Sequence, residues 1–236
     1  MRERSRGRDR QSAFAGIVGG AVVAVGSVAT AVAYRGADAV RFSPLNHFVS
    51  ELGELAQSEL AGLFNLSLII GGVCFAVFMG GLAASRPGLL RLLAGVAGVL
   101  AGIGGAFTGV FPMDHGAAHG LAASTFFNFG WIAVALASLD FVLHRDPRFS
   151  RGHAIVGFVT VVAFIAFLRE VANTSALGRL VVPEVRPDIW AVAALEWLTI
   201  VGIVGWVLGV SVSWLSAAEP VSSGVGAGDQ AGVTIA

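Results

Sequence analysis

The densest group of chemically reactive side chains lies in residues 111–119, where one acid and two histidines occur close together. His115 and His119 are four residues apart, so on a helix they share one face. Two imidazoles at this spacing, with Asp114 beside them, are a common way to hold a metal ion such as zinc. The alternative role of Asp114 is structural: Pro112 is expected to end one helix, and an acid that follows it caps the next.

A second polar group lies in residues 35–61 and includes His47, Ser50 and Glu51. A histidine close to Ser50 would be able to act as the general base for its hydroxyl group. Apolar residues recur through residues 45–60 at a spacing that predicts a short helix on the membrane surface.

The third candidate is Glu196, a carboxylate inside a long apolar run, ~12 Å from the start of that run at 1.5 Å per residue. A carboxylate at this depth must be paired, protonated or facing water. Arg169 and Glu170 stand at the end of the preceding run, and we expect an ion pair between Arg169 and Glu196. Asp140, near the end of the fourth run, is expected to reach the membrane interface or to pair with Arg145.

The composition identifies the class of protein that must position these residues. Hydrophobic residues make up 56% of the chain and charged residues 13%, whereas soluble domains carry about 25% charged residues. The mean hydropathy is +0.80, which indicates a membrane protein. The net charge of zero argues against a nucleic-acid binder. The single cysteine, Cys74, excludes an intrachain disulfide and a multi-cysteine zinc cluster.

Six apolar runs predict an all-α fold, a polytopic transmembrane bundle of six helices, because each run can cross or nearly cross the ~30 Å hydrocarbon core. The runs cover residues 13–34, 62–84, 89–111, 119–143, 152–168 and 188–214. The short connectors 85–88 and 144–151 predict antiparallel packing of consecutive helices.

The two ends of the chain are expected to be disordered tails, at residues 1–12 and 216–236, which flank a membrane domain over 13–215. A small-residue site at residues 31–33 resembles a signal-peptide cleavage site. The apolar run before it is longer than the usual 7–15 residues, which favours a retained first helix.

The arginines predict the orientation, because ten of the fifteen fall on the side of the amino terminus. The positive-inside rule then places both termini in the cytoplasm of a multi-pass plasma-membrane protein. The polar segments 35–61, 112–119 and 169–188 all lie on the outer side. They would form one outer-facing pocket, with these candidate ligand-binding residues: His47, Ser50, Glu51, Asp114, His115, His119, Arg169, Glu170 and Glu196.

The third run carries a stripe of small residues: Gly95, Gly98, Gly102, Gly105 and Gly109. Such residues let helix backbones approach closely in lipid, so this helix is expected at the centre of the bundle. The alternative use of the same faces is contact between copies in a homo-oligomer.

These residues carry a resemblance to a known family. The pattern SPLNHFVSELGE before the second run, FN at its start, and GVFPMD at 109–114 followed by His119 resemble DUF998, a family of uncharacterised prokaryotic membrane proteins. The resemblance covers about residues 14–214 and implies six spans in the same places. It implies no activity, but it gives these residues motif positions: Ser50, Glu51, Gly53, Asp114 and His119.

Two further resemblances are weaker. The Ser-Glu-Leu-Gly turn is similar to the Ser-Asp-x-Gly turn of Frag1/DRAM/Sfk1-type six-span proteins, which are linked to lipid handling and stress responses. A Ser, an Asp and a His at one membrane face resemble the ceramidase and adiponectin-receptor group of zinc hydrolases. That group differs in having seven spans and an H-x3-H in the last one, where this chain has Glu196.

Three functions fit these features, and we favour a non-enzymatic protein that binds or senses a membrane lipid or small ligand in the outer pocket. The second is a membrane hydrolase, in which zinc held by the histidines and Asp114 activates water, or a histidine activates Ser50. No nucleophile motif is complete for it. The third is a proton-coupled transporter with Glu196 as the titrating group, although no internal repeat supports it.

Overall fold

The computed structural model of the chain describes residues 2–36, 40–176, 179–180 and 185–218. Six long helices contain most of them: α1 (Arg2–Ala33), α2 (Ala61–Ala84), α3 (Leu89–Val110), α4 (Ala117–His144), α5 (Arg151–Thr174) and α6 (Ala191–Ala218). All six are long and apolar enough to cross a membrane, so the prediction of six spanning helices is confirmed. Between α5 and α6, the two-residue strands β1 (Ser175–Ala176) and β2 (Arg179–Leu180) pair antiparallel.

The helices form a closed ring in chain order, because each packs against its neighbours in sequence and α6 packs against α1. The start of α1 and the turns 85–88 and 145–150 meet at one end, here called the turn end. Residues 34–36, 40–60, 111–116 and 185–190 meet at the other, here called the loop end. Which end faces the cytoplasm remains a prediction from the arginines.

The helix α3 is a member of this ring and does not occupy its centre, so the expected central position is wrong. Its glycines instead form the contact with α2, where Gly102 lies against the backbone of Gly72 and Ala76. A single stripe of small residues brings one neighbour close and leaves the middle of the ring open. Because α2 covers this stripe, a homo-oligomer would use other helix faces, and it stays a prediction.

Aromatic side chains fill the turn-end half of the ring. Trp206 and Trp214 of α6 pack edge-on to Phe78, and Phe141 and Phe149 stack beside them. These rings pack the ring of helices toward the turn end.

A buried ion-pair network ties the helices together at the turn end. Asp140 is fully buried, and it accepts hydrogen bonds from Arg91 at 2.6 and 2.8 Å and from Arg86 at 2.6 Å. Arg91 itself is 1% exposed. The prediction that Asp140 pairs with Arg145 is wrong, because Asp140 points across the bundle toward the α2–α3 turn.

The network continues through Asp146, which accepts hydrogen bonds from Arg91 at 2.9 Å and from Arg148 at 2.7 Å. Burial alone would raise the pKa of Asp146, but the two guanidinium groups outweigh it and lower the pKa to about 2. Arg148 also reaches Asp9 of α1 at 3.2 Å.

The expected disorder of residues 1–12 is wrong for residues 2–12, which continue α1 as helix. Partners on other elements account for this order: Asp9 pairs with Arg148, Arg8 donates to the carbonyl of Ala84 at 2.7 Å, and Ser12 is buried. At the other end of the chain α6 runs to Ala218, and the rest of the expected tail lies outside the described residues.

The expected surface helix over residues 45–60 is also wrong. Only Val49–Gly53 forms a short 3-10 helix, and the segment folds inward over the mouth of the ring. Phe48 and Leu52 are buried in the bundle rather than in lipid, and Phe48 packs against Trp190 at 4.7 Å between ring centroids. The short helix ends at Gly53, whose carbonyl accepts a hydrogen bond from Asn65 of α2 at 2.9 Å, and this bond holds the segment against the bundle.

Candidate functional site

The centre of the ring contains a cavity of about 110 Å³ that extends from the middle of the helices toward the loop end. Five of the helices and the 49–50 segment line it. Most of the lining is apolar or glycine: Gly16, Gly19, Gly20, Val23, Phe64, Leu68, Gly71, Gly72, Phe75, Ala101, Gly105, Ala123, Phe126, Phe127, Ile200, Ile203, Val204 and Val207. An engineered apolar cavity of about 150 Å³ binds benzene, so this space suits a group of similar size.

Four polar side chains also line the cavity: Ser50, Thr108, His119 and Glu196. They come from the α1–α2 loop and from the loop-end halves of α3, α4 and α6. The cavity is therefore amphipathic, with an apolar body and its polar groups at the loop end. Thr108 was missed in the sequence, where its only signal was a hydroxyl group near the end of a spanning run.

Glu196 connects α6 to residues 48–54, here called the closing loop, which cover the cavity. It is 6% exposed, and its Oε2 accepts a hydrogen bond from the Val49 N–H at 2.6 Å, at the start of the 3-10 helix. The expected ion pair with Arg169 is wrong, because Arg169 is exposed at the end of α5 and Glu196 turns toward the loop. Glu170 is half-buried on that same turn of α5, and neither residue is among the described residues lining the cavity.

The closing loop is held by a second carboxylate, Glu51, which is 2% exposed. Its two oxygens accept hydrogen bonds from Arg186 at 2.8 and 2.9 Å, and Oε1 also accepts from the Phe48 N–H at 2.8 Å. The bonds to Glu51 raise the pKa of Arg186. Asn65 of α2 donates to the carbonyl of Gly53 at 2.9 Å. The sequence predicted Glu51 as a ligand-binding residue, but it lies in an anchor for the loop.

The three candidate metal ligands are directed apart. Asp114 is exposed and accepts from the Leu55 N–H at 2.7 Å, so it joins two loops and does not cap α4. His115 is exposed beside the ring of Phe111, and His119 is bonded to the carbonyl of Phe111. Within the described part of the chain, no three His, Cys, Asp or Glu side chains are close enough to hold a metal ion together.

His47 packs under the closing loop and is not among the described lining residues. It is 5% exposed, lies between Tyr34 and Phe42, and accepts a hydrogen bond at Nδ1 from the Ser43 N–H at 3.3 Å. Burial lowers the pKa of His47, although the nearby carboxylate of Glu51 opposes this.

Acidification is therefore expected to destabilise the protein through His47. Its folded-state pKa lies below the unfolded value of about 6.5, so the unfolded state binds the proton more readily and stability falls as the pH drops below about 6.5. One such group contributes at most about 1.4 kcal/mol per pH unit. Thermal unfolding in detergent between pH 7.5 and 5 should show a smaller loss of stability for His47→Gln than for the wild type. His115→Gln, at an exposed position, is the control, and equal pH dependence in all three proteins would contradict the prediction.

One of three comparisons with known proteins finds a match, and it identifies the family of the chain. Residues 18–213 match the family described as "Protein of unknown function (DUF998)". The match covers most of the chain, and the protein belongs to this family. No curated protein and no solved structure matches the chain.

Proposed function

We propose that this member of the DUF998 family binds a small amphiphile in the cavity at the centre of its helix ring. The observation that supports the proposal is the division of one cavity into an apolar body and a polar end with four side chains. Ligand sites commonly combine a mainly apolar lining with a few placed polar groups. The apolar part of the ligand would lie among the glycines of α1 and α2, and its polar part would lie at the loop end.

The size of the cavity favours a small ligand or one alkyl segment of a lipid. At about 110 Å³ the space suits a group of roughly six heavy atoms, since a cavity of about 150 Å³ holds benzene. We expect the ligand to come from the membrane or the outer side, in keeping with the predicted orientation in a plasma membrane.

Binding is favoured over hydrolysis by the contacts of Ser50. Its hydroxyl donates to Met113 Sδ at 3.7 Å, whereas His119 Nδ1 is bonded to the carbonyl of Phe111. A serine nucleophile needs a base within hydrogen-bond reach, and in the described part of the chain the Ser50 hydroxyl donates to Met113 Sδ and not to a histidine.

The proposal predicts that filling the cavity removes the ligand. Gly105 lines the cavity, and a Cβ atom added there meets its nearest neighbour at an ordinary 3.5 Å, so Gly105→Leu should fold and place its side chain in the open space. Native mass spectrometry of the purified wild type should show a retained small molecule, and Gly105→Leu should reduce its occupancy at least about tenfold.

Gly205→Leu is the matched control, because Gly205 is also in a spanning helix but is exposed, with open space around it. This variant should retain the molecule as the wild type does. Equal retention in the Gly105→Leu protein would reject the cavity as the binding site.

A further inference from the structure

Two hydroxyl groups at the polar end of the cavity have already used their donors on protein atoms. The Thr108 hydroxyl donates to the carbonyl of Gly104 at 2.9 Å, and the Ser50 hydroxyl donates to Met113 Sδ. Each hydroxyl has one O–H donor and two acceptor lone pairs. Both oxygens can therefore still accept hydrogen bonds from a molecule in the cavity.

The hydrogen bond of His119 likewise determines which nitrogen of its imidazole can accept. Its Nδ1 lies 2.9 Å from the carbonyl oxygen of Phe111. A carbonyl oxygen can only accept, so Nδ1 carries the hydrogen, and in the neutral ring Nε2 is left with a lone pair. The ring lines the cavity as a hydrogen-bond acceptor.

Glu196 adds a carboxylate, which when ionised has acceptors and no donor. In the described part of the chain, Glu196 forms no ion pair, and its hydrogen-bond partners are the backbone N–H groups of Val49 and Ser50. A buried carboxylate without a cation carries a large desolvation cost. A cationic ligand would offset that cost.

We propose that the ligand is an amphiphile with a primary ammonium head group, which places its three N–H donors among Glu196, His119 and Thr108. This inference rests on the proposed function and narrows its ligand class. An ammonium group supplies only donors and a positive charge, and the polar end supplies acceptors, together with a negative charge when Glu196 is ionised. A carboxylate head would meet acceptors and a like charge in the same place.

The experiment compares three probes of equal chain length: hexylammonium, 1-hexanol and hexanoate. The full-length protein in detergent is heated with increasing concentrations of each probe, and the stabilisation gives each dissociation constant by linkage. We expect hexylammonium to bind at least about tenfold more tightly than hexanoate, with 1-hexanol between them. Glu196→Gln should weaken hexylammonium about tenfold and 1-hexanol much less, because only the ammonium group loses the attraction between opposite charges together with a charge-assisted hydrogen bond.

The Glu196→Gln variant keeps an amide oxygen that can accept from the Val49 N–H, so the loop anchor is preserved. Thr108→Val is a second test that removes one acceptor, and it should also weaken hexylammonium. Its control is Thr125→Val on α4, whose hydroxyl makes the same kind of bond within its own helix, at 2.8 Å to Leu121, and which is not among the described lining residues.

The outcomes separate this inference from the function on which it rests. Equal affinity for hexylammonium and hexanoate, or no loss in Glu196→Gln, would overturn the ammonium head group while leaving a cavity that binds amphiphiles. If none of the probes stabilises the wild type more than the Gly105→Leu variant, the cavity is not a binding site and both proposals fail.

Discussion

Replacing Asp140 with asparagine should destabilise the protein by about 3–5 kcal/mol, the usual cost of breaking a buried ion pair by removing one partner. The carboxylate is fully buried and neutralises Arg91, which is 1% exposed, and it also accepts from Arg86. Without it, Asp146 remains as the other buried acid in contact with Arg91, and it is shared with Arg148. A guanidinium group would thus lie in the protein interior with insufficient negative charge.

The free energy of unfolding is measured in mixed micelles of a mild detergent with an increasing fraction of dodecyl sulfate. Asp188→Asn, an exposed acid at the loop end, is the control and should change stability by less than about 0.5 kcal/mol. In the double variant Arg91→Met with Asp140→Asn, the loss should be smaller than the sum of the single losses, because the two residues form one interaction. An Asp140→Asn protein as stable as the wild type would show that this network contributes nothing to folding.

The spanning helices were predictable because their signal is local and strong. A run of about twenty apolar residues has few alternatives to a membrane helix, and six such runs became six helices. The ring arrangement was not predictable in the same way. Small residues indicate where a backbone can come close, but Gly102 could have faced any neighbour, and only the fold assigns it to α2.

Three of the polar residues that the sequence indicated lie at one place, although their hydrogen-bond partners differ from the expected ones. Ser50, His119 and Glu196 do line one cavity, because short loops and antiparallel helices bring their segments to the same end. Partners depend on side-chain direction, which sequence spacing does not give. Glu196 therefore bonds to the Val49 backbone instead of Arg169, and Glu51 binds Arg186, which lies far away in the sequence.

The loop and the amino-terminal segment were predicted poorly for a related reason. Apolar spacing over residues 45–60 is the same for a helix on the membrane surface and for a segment that turns into the core. Hydrogen bonds to side chains on other elements stabilise the inward conformation, namely those of Glu196, Asn65 and Arg186. Similarly, the polarity of residues 2–12 suggested a tail, and the ion pair of Asp9 with Arg148 explains the helix.

The second large effect is expected at the crossing of α2 and α3. A Cβ atom at Gly102 would lie 2.6 Å from the carbonyl oxygen of Gly72 and 2.7 Å from the amide nitrogen of Ala76. Both neighbours are backbone atoms, so no side-chain rotation can relieve the clash and the two helices must separate. Gly102→Ala should therefore destabilise the protein by about 3 kcal/mol, at the upper end of the cost of overpacking.

The matched control for this variant is Gly62→Ala, at the exposed start of α2, where a Cβ atom meets open space. Alanine is favoured over glycine in a helix by up to about 1 kcal/mol, so this change should leave stability unchanged or raise it slightly. The same preference for alanine acts at Gly102. A net loss of stability in Gly102→Ala would therefore equal the cost of the clash minus this gain. Because Gly72 also lines the cavity, separation of α2 from α3 should widen that space and weaken retention of the small molecule. A Gly102→Ala protein with wild-type stability and retention would show that the two helices do not depend on this close contact.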